Sequence, residues 1–281
     1  MTIPHLWHRR ARLTPEHEQS ERLDQYQPTM ATRLWARLRW GVEMLALAGW
    51  TALRSTLVPM PRVRYAHPGA QCPGCLIVFL PGRWNRAVQF ETAQFVEAVY
   101  DAGIQADMVA VEAHYGYYAT RTVVTRLRED VIAPARAQGY TQIWLVGVSI
   151  GGLGALLYVR AYPEDLTGVV ALAPFLGAPD VITEIRAAGG VQHWHPATIA
   201  PGDAPRQLWQ WLKTSLARPE GGPALYLGYG QQDRLAPAHH LLASNLPVTQ
   251  VFTTRGGHDW QTWRPLWQAF LTHAALPSGS P

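Results

Sequence analysis

The chain has no run of lysine or arginine, no apolar stretch long enough to cross a bilayer comfortably, and only two cysteines. Each absence removes a class of function. Without a basic run, a net charge of +4 argues against nucleic-acid binding. Arginine gathers mainly near the N-terminus, where contact with an anionic membrane surface stays open. No Walker pattern or basic cradle for a phosphate appears. The two cysteines form Cys72-Pro73-Gly74-Cys75. A redox C-x-x-C follows a strand and opens a helix, whereas this one precedes an apolar run. A structural zinc site needs further close ligands, and no second pair exists. A simple turn is the first reading, with a small local disulfide, which would imply an oxidising compartment, and then a metal or redox role as the alternatives. Charged residues are also scarce at 16%, while 48% of the chain is hydrophobic and 12 residues are tryptophan. In 281 residues that suffices for one large α/β domain with a sizeable core and an aromatic-lined site.

The chain divides into residues 1–60 and 61–281. Residues 1–29 are polar and read as a loosely held arm. Trp40 to Leu53 is an apolar, helix-competent run broken by Glu43 and flanked by Arg33, Arg37, Arg39 and Arg54. It falls short of the roughly 20 residues a membrane-spanning helix needs. It also lies too far along the chain for an ordinary secretory signal. Leu45-Ala46-Leu47-Ala48-Gly49 looks like the lead-in to a lipoprotein cleavage site, but Trp50 stands where the lipidated cysteine belongs. The run is expected either to pack on the body as an amphipathic helix or to lie at a membrane interface, making residues 33–57 a peripheral contact. A cytoplasmic location is expected, with membrane association as the alternative.

From Pro61 onward apolar strand-like and helix-like segments alternate, which predicts a mostly parallel, doubly wound sheet. Strands are expected at Leu76–Leu80, Met108–Val111, Ile143–Val146, Gly168–Leu172, Leu225–Tyr229 and Val248–Phe252. Helices are expected at about 87–101, around Val123, Leu127 and Val131 with a stop near Pro134 and Gly139, and at about 262–275. The last tolerates Pro265 if that residue falls in the first turn. The alternation lapses over about 174–222, where prolines punctuate two short helical pieces near 181–188 and 205–216. That insertion reads as a helical cap or lid.

One stretch carries the chemistry. Ile143-Trp144-Leu145-Val146 leads into Gly147-Val148-Ser149-Ile150-Gly151 and then a small-residue-rich helix. G-x-S-x-G between a strand and a helix is the pattern of a nucleophile elbow. A sharp strand-to-helix turn strains the central residue and lifts its hydroxyl clear of the sheet. The positions two before and two after it pass too close to backbone for any side chain, so Gly147 and Gly151 are required there. Gly152 and Gly154 suit close packing of the following helix.

A serine hydroxyl needs a base, and the base needs an orienting group. In such sheets both come from loops at the carboxyl ends of strands. Gly230-Gln231-Gln232-Asp233 follows one expected strand, and Gly256-Gly257-His258-Asp259-Trp260 follows the last. The order Ser149, Asp233, His258 is that of an α/β-hydrolase triad. Asp180 is the alternative acid, and His239 and His240 are expected on an exposed helix start. The oxyanion hole requires two backbone N–H groups, expected from Ile150 and from Arg83, with Trp84 second.

With GVSIG at 147–151, LPG at 80–82, GQQD at 230–233 and GGHDW at 256–260, residues from about Pro61 to Leu276 resemble the α/β-hydrolase superfamily. The departure is Leu80-Pro81-Gly82, which stands where a His-Gly precedes the oxyanion loop in that family. The resemblance implies acyl transfer to water through an acyl-serine intermediate, with no metal and no organic cofactor. An acyltransferase, a C–C or thioester hydrolase of a biosynthetic pathway, and a non-catalytic binding protein are the alternatives. Having all three triad residues argues against the last. Trp84, His114, Tyr115 and Trp260 are expected to line the substrate site, with Trp194, Trp209, His193 and His195 contributed by the insertion. An apolar or aromatic ester, thioester or lactone would suit such a pocket, with no nucleic-acid partner. The tyrosines of the Glu112–Ala119 loop could equally just cover the sheet edge.

Overall fold

Near-continuous apolar strands organise the molecule. The structure is a computed structural model that describes residues 56, 59–67, 74–216, 222–273 and 276, all within the compact unit Arg54–Pro281. Strands β1 (Arg62–Tyr65), β2 (Cys75–Leu80), β3 (Asp107–Val111), β4 (Gln142–Val148), β5 (Gly168–Leu172), β6 (Ala224–Gly230) and β7 (Val251–Thr254) form one sheet. Its order is β1-β3-β2-β4-β5-β6-β7. All neighbours pair in parallel except β1 with β3. Every residue of β2 and β5 is buried. That is the signature of strands covered on both faces.

Alternation along the strands feeds two cores. Ile77, Phe79, Trp144, Val146, Val170 and Leu172 face one side. They pack with helices α1 (Gln89–Thr92) and α2 (Phe95–Asp101), and with the C-terminal α10 (Trp260–His273). Phe79, Phe90, Phe95 and Trp267 form an aromatic cluster there, with Phe95 stacked on Trp267 at 5.9 Å. Leu76, Val78, Leu80, Ile143, Leu145 and Val169 face the other side. They meet α3 (Tyr115–Ala119), α4 (Val123–Leu127), a π turn (Arg128–Ile132), α5 (Ala133–Ala137) and α6 (Ile150–Ala161). A third cluster joins α7 (Pro179–Ala187), α8 (Ala204–Leu216) and α9 (Ala236–Ala243) to Leu156 and Leu227.

Four features depart from the sequence expectation. The helix expected over 87–101 breaks at Gln94, whose φ is +62°. Phe90 and Phe95 are five residues apart, so one straight helix would point them about 140° apart. The break lets both bury fully, and Val88 is left exposed instead. The strand expected over Val248–Phe252 runs instead over Val251–Thr254, after a 3-10 turn at Val248–Gln250, while the helix after Thr122 continues through the π turn and ends at Ala137, between Pro134 and Gly139 as expected. Helix α10 starts at Trp260, capped by Asp259 Oδ1 accepting the Thr262 N–H at 2.9 Å, so Pro265 lies in its second turn. Edge strand β1, with Arg62 and Arg64 outward, was not anticipated from its four-residue pattern.

No described helix is long and apolar enough to cross a membrane. The expected arm and amphipathic helix, apart from Thr56, Pro59 and Met60, lie outside the described residues, as does Cys72. Cys75 is a free, buried thiol that burial pushes up to about 12.

Candidate active site

Strand β4 ends at Val148 and α6 begins at Ile150, so the whole change of direction falls on Ser149. Its φ of +55° and ψ of −117° place it in strained backbone, a state that costs on the order of 1–3 kcal/mol. Neighbouring backbone holds it there. The Ser149 N–H donates to the Leu172 carbonyl at 2.9 Å, and the Ser149 carbonyl accepts the Phe175 N–H at 3.0 Å. A Cβ at Gly147 would collide with the Gly151 carbonyl, and one at Gly151 with the Leu80 carbonyl. The G-x-S-x-G glycines are therefore obligatory here. A Cβ at Gly152 would lie 2.9 Å from Pro174 Cβ, and one at Gly154 would lie 2.6 Å from the Tyr118 hydroxyl.

Register brings the other loops to this corner. Leu80 pairs with Gly147, Leu172 with Gly228, and Gly230 with Thr254, so β2 and β4 to β7 end along one edge. Beyond β6 the Asp233 N–H donates to the Gly230 carbonyl, and the Gln232 N–H reaches across to the Gly256 carbonyl at 2.9 Å. The exits of β6 and β7 are thereby tied. His258 Nδ1–H donates to Asp233 Oδ2 at 2.7 Å, and the Ser149 hydroxyl donates to His258 Nε2 at 2.9 Å. This network assigns the His258 tautomer. Asp233 is 4% exposed, and its Oδ1 accepts the Leu235 N–H at 2.8 Å. Burial alone would raise its carboxyl. The His258 hydrogen bond and charge, the Leu235 N–H and His239 outweigh that and hold it below the usual carboxylate range. Trp263 presses edge-on to the His258 ring, 5.1 Å between centroids at 90°.

Asp180, the alternative acid, sits on α7 with an exposed side chain 3.8 Å from Arg206. Ile150 is the buried first residue of α6. The turn after β2 closes with the Asn85 N–H on the Gly82 carbonyl at 3.0 Å. Gly82 abuts Ser149, since a Cβ there would lie 3.5 Å from Ser149 Cβ. Next along the chain, the Arg83 guanidinium stands 4.9 Å from the Tyr115 ring and 5.8 Å from that of Trp84, which is 57% exposed. Arg83, Trp84 and Tyr115 thus form a shelf whose root lies against the serine.

Other expected substrate contacts have structural employment. His114 is buried and caps α3, its Nδ1 accepting the Gly116 N–H at 3.1 Å. Trp260 packs edge-on to Phe90 at 5.2 Å and Phe95 at 5.3 Å. Trp194 and Trp209 are buried in the third cluster, their indole N–H groups bonded to Glu184 and to the Leu176 carbonyl. His193 and His195 are exposed, beside the Gly189 carbonyl and Lys213. His239 corrects its expectation outright: it is fully buried, because α9 turns it inward with Ala236, Ala238 and Leu242. The 235-239-242 spacing was the available signal. Among the described residues, no group of three His, Cys, Asp or Glu side chains is placed to hold a metal ion.

No family model matches the sequence, and no curated protein does. Solved structures do resemble the fold. Est1E from Butyrivibrio proteoclasticus superposes with a TM-score of 0.56 at 12% identity, over 78% of this chain and 93% of that one. Its structure with ferulic acid bound gives 0.52 at 14% identity, over 76% and 94%. The apoenzyme of S-formylglutathione hydrolase (FrmB) from Staphylococcus aureus gives 0.50 at 15% identity, over 78% and 97%. The parallel sheet, its strand order and these likenesses agree: the chain has the α/β-hydrolase fold.

Proposed function

We propose that the protein is a serine hydrolase that cleaves a small carboxylic ester or thioester through an acyl-serine intermediate. The observation that carries this reading is the unbroken chain from Asp233 through His258 to a strained Ser149, at 2.7 and 2.9 Å. As Ser149 Oγ attacks the substrate carbonyl, His258 Nε2 takes its proton. Asp233 fixes the Nδ1–H tautomer and stabilises the imidazolium. The developing oxyanion is received by the N–H of Ile150, at the partly positive N-terminus of α6, and by that of Arg83. His258 then protonates the leaving alcohol or thiol, and afterwards activates the water that releases the acid.

The Arg83, Trp84 and Tyr115 shelf suits a substrate with an apolar or aromatic part. Among proteins of the same fold, one holds ferulic acid and another is named an S-formylglutathione hydrolase, both consistent with a small-molecule substrate. The deciding experiment is labelling by a fluorophosphonate probe, beside hydrolysis of p-nitrophenyl esters of increasing chain length. Wild-type protein is expected to take the label and Ser149→Ala to lose it, while the chain-length profile sizes the site. Equal labelling of the two proteins would remove Ser149 as nucleophile.

A further inference from the structure

We propose that His239 is a positioning residue for the nucleophile, holding in place the segment after β5 that grips the Ser149 peptide. The inference rests on the reading of Ser149 as nucleophile and goes beyond it. The segment is short and strained. Ala173 has φ of +46°, one of four described non-glycine residues with positive φ, and it directly follows Leu172, whose carbonyl accepts the Ser149 N–H. Its N–H donates to the Gly228 carbonyl at 2.7 Å, while Leu172 and Phe175 bond the amide and the carbonyl of Ser149. Residues 172–175 therefore hold both hydrogen-bonding groups of the Ser149 backbone. Strain of this kind persists only where the surroundings over-determine it.

Pro174 lies at the centre of the segment. Having no N–H, it can be tied down by hydrogen bonding only through its carbonyl. That carbonyl is 3.0 Å from His239 Nε2. A carbonyl can only accept, so Nε2 carries the proton and Nδ1 is the bare nitrogen. Nδ1 is buried with no hydrogen-bond partner. Protonating it would put a second N–H and a charge where nothing accepts them, so the ring is a fixed neutral donor and not a proton carrier. Tyr229 packs against it, with ring centroids 5.3 Å apart.

The same helix also reaches the acid. The Leu235 N–H donates to Asp233 Oδ1 at 2.8 Å, and the His239 N–H donates to the Leu235 carbonyl at 3.2 Å. Helix α9 thus sets the acid's loop with its first turn and the nucleophile's flank with His239. Loosening the Pro174 anchor lets Ser149 relax and its Oγ drift from the 2.9 Å contact with His258.

The test compares wild type with His239→Gln, His239→Asn and His239→Leu. It reads the fluorophosphonate labelling rate, kcat and KM on a p-nitrophenyl ester, and thermal unfolding. Glutamine carries an N–H to the place of Nε2, whereas asparagine stops short at Nδ1. His239→Gln is expected to stay within about threefold of wild type, and the other two to lose roughly 30-fold in labelling rate and kcat with KM within about twofold. Folded Asn and Leu variants that label at the wild-type rate overturn the proposal, as does a loss that only tracks the fraction unfolded. If His239→Leu does not fold, equal rates for the Gln and Asn variants overturn it. A wild-type protein that takes no label instead sinks the nucleophile reading itself, and this proposal with it.

Discussion

Ser149 and Trp84 leave neighbouring strands, β4 and β2, at the same edge of the sheet, yet they are held by opposite means. Backbone partners fix the amide and carbonyl of Ser149, glycines admit its neighbours, and its backbone is strained. Trp84 sits on a turn closed by the Asn85 N–H, with more than half its surface in solvent and the Arg83 guanidinium beside it. Bond breaking demands placement to a fraction of an ångström, which only an over-determined corner supplies. Recognition of a small substrate tolerates a softer surface, which is the role the proposed function gives the shelf. Substitutions in the corner should therefore abolish chemistry or destabilise the fold, and those on the shelf should shift binding alone.

The widest gap between the two regions is expected at Ser149. Ser149→Ala should lower kcat by about 10⁴-fold or more while leaving the melting temperature close to the wild-type value, since the Cβ and the strained backbone stay and only the hydroxyl is lost. Steady-state kinetics beside a thermal melt reads both. A variant that keeps within tenfold of wild-type kcat would break the comparison at its root. Gly151→Ala comes next, because the added methyl meets the Leu80 carbonyl and no flexible side chain can yield. A loss of about 2–4 kcal/mol in urea unfolding is expected, in the range of overpacked cores. An unchanged midpoint would show that the elbow has slack.

Acid should weaken the corner before it touches the shelf. Burial pushes His239 down to about 4, against the charge of Asp233 and the Pro174 carbonyl, which favour its proton, and with His258 and His240 opposing it. The unfolded chain protonates this histidine near 6.5, so between about pH 6.5 and 4 it binds a proton the folded protein refuses. Stability is full above that window and falls as pH is lowered through it, by about 2 kcal/mol between pH 7 and 5. Asp233, held low, adds its own loss only at lower pH, as its folded carboxyl finally protonates. Urea melts of wild type and His239→Gln at both pH values measure this. Parallel curves would mean that His239 does not carry the slope. The smallest effect belongs to Trp84→Ala, with stability within about 0.5 kcal/mol of wild type and KM raised severalfold at constant kcat. A matching fall in kcat would move Trp84 from the shelf into the corner.

Much of this corner was readable from the sequence, because its demands are local. A glycine two places either side of Ser149, an apolar run before it and small residues after it are adjacent in the chain, and the chain alone states the steric requirement. Asp233 and His258 were readable for a related reason, each standing in a glycine-containing loop just beyond an expected strand. What surrounds them was not. His239 looked like a surface residue until Pro174, 65 residues away, supplied its acceptor. Trp194 and Trp209 looked like pocket walls, and packing gave them to a core. The break at Gln94 follows from a sheet that draws both Phe90 and Phe95 inward.

The amino-acid order by itself determined the alternating α/β architecture, the elbow and the order of its three polar residues, since periodicity and backbone sterics act between near neighbours. Tertiary structure alone decided which of the neighbouring histidines His239 and His240 is buried and which aromatic faces solvent. Those outcomes depend on acceptors, donors and apolar surface that the fold brings together from distant parts of the chain.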